Sequence, residues 1–356
     1  MVLWSRGRPE SGLHRLSVLW DAPLYQSIAR LGYAGVAPIP GPHGDYEMYA
    51  FFPLYPTVTR WTAWLLPLSI SQAALLVAWA GSLAAAWGIY AVAAKLYNRR
   101  TGVMAAVLWG VLPHAAVQSM AYSEPVFTAF AAWAVYQAIC RRWLTAGLLA
   151  VLAGLTRPTG LAVAGAIGAA ALWELCTWRR RSVEQRASAW WRPLVAMVIA
   201  PAGAVGYIGW VGLQKGRWDA YFKIQEAWQS EFDFGRATFR SFQGLLTNSG
   251  QVWLADVMVA VVLFAAVILF GVSLIQRQPL PLVLLSAGIL VLAFGDAAYF
   301  NCRARFLLPA FGLLLPLAVG LARLRSRATV ALILAGAAVV SAFYGAYIVL
   351  VYPNAP

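Results

Sequence analysis

From Leu65 to the C-terminus, apolar stretches of about 20 residues recur, separated by short arginine-rich connectors. A helix rises 1.5 Å per residue, so about 20 apolar residues cross the roughly 30 Å hydrocarbon core of a bilayer. Only 11% of the 356 residues are charged and 61% are hydrophobic, against roughly 25% charged in a soluble domain. The short alternating segments of a transmembrane β-barrel do not occur. The expected fold class is an all-α polytopic membrane protein.

Candidate spans lie near 65–97, 103–119, 123–140, 143–155, 160–178, 193–213, 252–275, 280–298, 304–322 and 328–350. The pair 143–155 and 160–178 is short enough to read either as two crossings or as a re-entrant hairpin. The connectors then alternate in charge. One set holds Lys95, Arg99, Arg100, Arg141, Arg142, the run from Arg179 to Arg192, Arg277, Arg323, Arg325 and Arg327, with Glu184 as its one acid. The positive-inside rule puts that set in the cytoplasm. Of 13 acids in the chain, all but Glu174 and Glu184 fall on the other side. The chain thus divides into an N-terminal region and first external loop (1–64), a first group of spans (65–213), an external loop (214–251) and C-terminal spans (252–356). Residues before Trp20 contain no span although the next segment must lie outside, so an upstream helix is expected to precede this sequence.

Several function classes are excluded. The net charge of +14 is spread in short clusters between spans, which speaks against nucleic acid as a partner. His14, His43, His114, Cys140, Cys176 and Cys302 are scattered without CxxC or HxxxH spacing, so no structural metal or disulfide framework is expected. GxGxxG, Walker A, GxSxG and HExxH are all missing, leaving nucleotide binding and serine or zinc hydrolysis without a motif. Twenty-four Arg against three Lys points to a GC-rich bacterial genome.

The external segments carry the chemistry. "WDAPLYQSIARLGY" places Leu24, Ile28 and Leu31 on one stripe, which suits a short helix lying in the interface. Asp21 reads equally as its N-cap or as an external general base, which needs a free lone pair. "GDYEMYAFFPLYP" brings Asp45 and Glu47 before an aromatic run broken by Pro53 and Pro56. Tyr49 and Phe52 fit either an interfacial aromatic belt or a groove wall for a lipid chain. Glu124 stands at the outer start of a span, where an acid also suits the helix dipole. Arg157, in "GLTRPTGLA", sits at a depth where an arginine faces a partner or snorkels. Asn301, Arg303 and Arg305 open another span from outside, against the positive-inside trend. A phosphate, or an ion pair with Asp296 or a loop acid, would account for them. The loop 214–251, with mixed charges and spaced aromatics, reads as an external cap or substrate lid.

"WDAPLYQSIARLGY" followed by "AFFPLYP" resembles the signature of PIG-V-like mannosyltransferases, relatives of the second mannosyltransferase of GPI-anchor assembly. "YSEPVF", "TRPTGL" and "RFLLPAF" are similar to further short blocks of that family. The resemblance implies a GT-C membrane glycosyltransferase with about 9–11 transmembrane helices, in the plasma membrane, its active site extracytoplasmic. It implies a polyprenyl-phosphate mannose donor and a glycolipid, glycan or protein acceptor. Asp21 matches the essential acid of the first external loop, and Asp45 or Glu47 matches an acidic spot before "AFFP". Arg303, Arg305 and Arg157 become candidates for the lipid phosphate, with Tyr49, Phe52, Glu124 and Asn301 as further substrate contacts. No cofactor is expected beyond the lipid-linked sugar itself; a divalent ion at Asp21, Asp45 and Glu47 stays open. The rival reading is a transporter or flippase of lipid-linked sugars, against which stand the lack of an internal repeat and the scarcity of acids within the spans.

Overall fold

The computed structural model describes residues 11–178, 189–247 and 252–355. The segments 1–10, 179–188 and 248–251, with most of the basic run before Arg192 and the start of the chain, lie outside the described residues.

Two short helices, α1 (Gly12–Val18) and α2 (Ala22–Leu31), open the chain. The apolar stripe of α2 turns out differently from its spacing. Ala22, Tyr25, Gln26, Ile28 and Ala29 are buried while Leu31 is 62% exposed. A polar tie explains the rotation: Gln26 donates to the Ser17 carbonyl and accepts from Ser71 Oγ at 2.6 Å, so the helix packs on protein along that face. Pro53 and Pro56 do not end the helix here; they start one, α3 (Leu54–Leu65), since proline is tolerated in a first turn. After Pro67, α4 (Ile70–Leu96) begins with a capping box between Ser69 and Gln72. The span thus starts five residues later than the apolar block.

Next come α5 (Arg99–Gly110), a 3₁₀ turn (Pro113–Ser119), α6 (Glu124–Ile139), α7 (Trp143–Thr156), α8 (Gly160–Trp178), α9 (Trp191–Ile199) and α10 (Ala202–Lys215). The external loop folds into α11 (Ala220–Ala227) and α12 (Arg236–Thr247). The chain finishes with α13 (Leu254–Ile275), α14 (Leu280–Gly295), the one-turn α15 (Arg303–Phe306), α16 (Leu315–Arg323) and α17 (Arg327–Leu350). Among the described residues there is no β-strand beyond isolated bridges. Among the described residues five helices, α9 with α10 counted as one, are long and apolar enough to cross a membrane, and up to seven if each of two bent pairs counts as one span. The bends, 83° after α5 and 75° after α15, fall within the blocks 103–119 and 304–322. Helices α7 and α14 are shorter and apolar. The chain is a multi-pass membrane protein.

Packing relies on small residues, as it does where lipid supplies no hydrophobic force between helices. Ala85, Ala129, Ala131, Ala132, Ala150 and Ala166 all sit in the main core. At Gly81 of α4 a Cβ would stand 2.8 Å from the Val126 nitrogen, so glycine lets α4 and α6 meet backbone to backbone. Two of the basic connectors are tied to neighbouring elements: Arg100 donates to the Leu324 carbonyl, and Arg141 pairs with Glu174.

Candidate active site

Trp20 holds its backbone at φ 51°, a left-handed conformation uncommon for a bulky residue. The next residue, Asp21, occupies the N-cap position of α2 but makes no side-chain cap hydrogen bond. Its backbone N–H donates to Tyr122 Oη at 3.2 Å, and its carboxylate turns instead to Arg305 (Oδ2–Nη2, 2.9 Å). Of the two readings of Asp21, the cap is therefore not realised.

A chain of alternating charges continues inward. Glu124 Oε1 stands 3.5 Å from Arg305 Nε and 2.7 Å from Arg157 Nη1. These are contacts of charge and not aligned hydrogen bonds, since neither Glu124 oxygen meets hydrogen-bond geometry. Arg157 also donates to Ser123 Oγ (3.0 Å), which shares a hydrogen bond with Tyr25 Oη (2.8 Å). The two guanidinium groups lie over one ring, Phe306, at 5.6 and 5.3 Å, and Arg305 also covers Tyr122 at 5.2 Å. Four residues from four distant parts of the chain thus make one cluster. Glu124 is 2% exposed, and the Arg305 side chain 7%. Arg305 Nη1 finds no hydrogen-bond partner among the described residues.

The cluster borders a cavity of about 860 Å³, whose walls include Asp21, Arg157 and Arg305. Its apolar side is built by Leu161 of α8, Ile208 of α10 and Ile289 and Leu292 of α14. Leu161 and Phe222 at its margin are 43% and 52% exposed, so the cavity is open on this side. Its polar side comes from the external loop and the turn after α14: Trp228, Ser230, Glu231, Asp296 and Tyr299. Tyr299, like Trp20, is left-handed (φ 41°). Backbone strain of this kind gathers where function over-determines a conformation. Burial pushes the Asp296 carboxyl above the usual range, and Ser230 Oγ donates to it at 3.4 Å.

The loop sits firmly on this turn. Asp233 N–H donates to the Gly295 carbonyl (2.8 Å) and Ala297 N–H to that of Glu231 (2.8 Å). Phe232 lies so close over Gly295 that a Cβ there would stand 2.0 Å from its Cε2. Gly295→Val is expected to lift this seat. Overpacking costs about 1–3 kcal/mol, which raises the open population of the loop about tenfold or more. Limited trypsin cleavage after Arg236 reads that population, and an unchanged rate would show that the seat tolerates the side chain.

The residues singled out from sequence divide. Asp21, Phe52, Arg157 and Arg305 line the cavity. Glu124 lies behind it, touching both arginines. Arg303 is fully buried and faces elsewhere: it donates to Thr238 of α12 and to the Asp296 carbonyl, bracing the external loop. Asn301 donates to the Ala355 carbonyl. Glu47 pairs with Lys215, Tyr49 stacks on Tyr33 (5.2 Å) and under Lys215 (4.9 Å), and Asp45 is exposed. Asp21, Asp45 and Glu47 do not meet, and among the described residues no group of three His, Cys, Asp or Glu is placed to hold a metal ion. Sequence reasoning missed Tyr25, Ser123 and Trp228. Tyr25 lies inside the block "WDAPLYQSIARLGY" and Ser123 inside "YSEPVF", whereas Trp228 was no more than one of the spaced aromatics of the loop.

No protein-family model and no curated protein sequence matches the chain. Solved structures do resemble it. ArnT from Cupriavidus metallidurans bound to undecaprenyl phosphate superposes with a TM-score of 0.56 at 16% identity, over 93% of this chain and 61% of that one. The archaeal oligosaccharyltransferase AglB from Archaeoglobus fulgidus, in complex with an inhibitory peptide and a dolichol-phosphate, gives 0.50 at 12% identity, over 97% and 52%. The chain therefore spans between half and two thirds of the length of these two proteins. At such identities the likeness shows the fold alone: the chain shares the polytopic helical membrane fold of these two proteins.

Proposed function

We propose that the protein is a glycosyltransferase that takes its sugar from a polyprenyl phosphate, and that it belongs with the PIG-V-like α-mannosyltransferases. The observation that carries the reading is the pairing of Asp21 with a buried, incompletely satisfied Arg305 at the wall of a cavity whose other side is apolar. A lipid phosphate needs that combination: guanidinium groups for its head and a greasy wall for its chain. Both named structural neighbours were solved with a polyprenyl phosphate, and the sequence blocks around Asp21 and "AFFPLYP" support mannose.

An acceptor hydroxyl attacks the anomeric carbon from the face opposite the phosphate. The new carbon–oxygen bond forms as the bond to the phosphate oxygen breaks, with inversion, and the electron pair of the broken bond stays on the phosphate. Asp21 accepts the hydroxyl proton. Arg305 and Arg157 stabilise the charge that grows on the departing phosphate, in a site where water is largely displaced and such contacts are strong. Glu124 keeps the two guanidinium groups from repelling one another. Trp228, Tyr299 and the carboxylates of Glu231 and Asp296 face the acceptor. Should a divalent ion take part, Asp21 is the carboxylate nearest the reacting groups. The cavity opens extracytoplasmically, at the plasma membrane of a bacterium.

The test is transfer of labelled mannose from polyprenyl-phosphate mannose by the purified protein in proteoliposomes, with glycolipid, glycan and peptide acceptors. Transfer from this donor and not from its glucose or arabinose counterparts is expected. No transfer by folded protein to any acceptor would move the reading to a transporter. The side is checked separately: cysteines at Asp45 and Ser230 should react with an impermeant maleimide from outside intact cells. Protection at both would overturn the external site.

A further inference from the structure

We propose that Arg305 couples donor binding to the base: in the empty cavity it holds Asp21, and the donor's phosphate frees Asp21 by taking the guanidinium over. This rests on the donor reading above. Arg305 is itself fixed, with Nε 3.5 Å from Glu124 Oε1 and its plane between Tyr122 and Phe306. Asp21 is the less buried partner; its side chain is 24% exposed, whereas that of Arg305 is 7% exposed. What changes between empty and loaded cavity is thus the anion and not the cation.

Charge counting points the same way. Asp21 and Glu124 offset Arg305 and Arg157, so the empty cluster is neutral. A phosphodiester adds one negative charge, and the cation left incompletely satisfied at the cavity wall is Arg305; Arg157, engaged by Glu124 and Ser123, adds its charge only as the phosphate departs. Phosphate and Asp21 therefore compete for the same guanidinium. Once displaced, the Asp21 carboxylate swings free to meet an acceptor hydroxyl, which makes the base available only when the sugar it is to serve is seated. Donor binds before acceptor.

Internal competition lowers the apparent affinity for the lipid phosphate by the fraction of Arg305 that Asp21 occupies. Removing the carboxylate should restore that affinity. Undecaprenyl phosphate in mixed micelles serves as the probe, its binding read by tryptophan fluorescence, since Trp20 and Trp228 line the cavity. Both Asp21→Asn and Asp21→Ala are expected to bind it about tenfold more tightly than wild type. Two variants guard against one that misfolds, and size exclusion in detergent checks both. Equal or weaker binding by both variants, with wild type still binding, overturns the competition and leaves the donor reading intact. No binding by folded wild type overturns the donor reading itself, and the coupling with it.

Discussion

Asp21→Asn should lower sugar transfer by a factor of roughly 10²–10⁴, the contribution of a positioned general base. Asparagine keeps the shape of the side chain, and its carbonyl oxygen can still accept from Arg305, so the fold and the cavity survive. The Asp21 backbone N–H keeps its bond to Tyr122 Oη, because that contact does not involve the side chain. The loss should therefore fall on kcat. KM for the donor should stay level or drop, as the competing charge is gone. That split separates a base from a residue that merely binds sugar, whose removal raises KM with kcat preserved. Initial rates at several donor concentrations decide it. Transfer at the wild-type rate would remove Asp21 from the chemistry altogether.

Glu124→Leu carries the largest expected effect on stability. The substitution leaves two guanidinium groups facing each other in a site where Glu124 is 2% exposed, with Ser123 and Asp21 as their remaining partners. Breaking a buried pair by deleting one partner costs about 3–5 kcal/mol, because the surviving charge is stranded. We expect this loss on unfolding in mixed micelles, or a protein recovered in low yield. The double variant Glu124→Leu with Arg157→Leu should regain most of it, since an apolar pair of similar volume replaces a charged one at little cost. Failure of the second substitution to rescue would show that Glu124 acts mainly through Arg305. Loss of activity is expected in both, as Arg305 then has Asp21 alone to hold it in place.

Charge and hydropathy along the chain were enough to place most of the fold. The ten apolar blocks are largely helical, with breaks inside 103–119, 280–298 and 304–322. Where the reading of elements missed, local chemistry accounts for it. Pro67 delayed the first span, Pro53 and Pro56 began a helix, and the hydrogen bonds of Gln26 rotated α2 off its apolar stripe. The acids at 45 and 47 looked alike with Asp21 because all three lie close together in the sequence, in a segment expected outside the membrane. Nothing in their spacing says that Lys215 will claim Glu47 and leave Asp45 in solvent.

Sequence by itself determined that this is a multi-pass helical protein, because bilayer thickness acts on composition alone. It also marked Asp21 as a group that either caps a helix or does chemistry. Only the tertiary structure set the cap aside, by bringing Arg305 from 284 positions away to within 2.9 Å of that carboxylate. It alone also told Arg303 from Arg305. Two residues apart on one helical turn, their side chains leave the axis about 200° apart, so one must face the cavity and the other must not. Which one does so depends on how the turn is packed, and packing involves Thr238, Glu124 and Tyr122, residues that no local pattern connects.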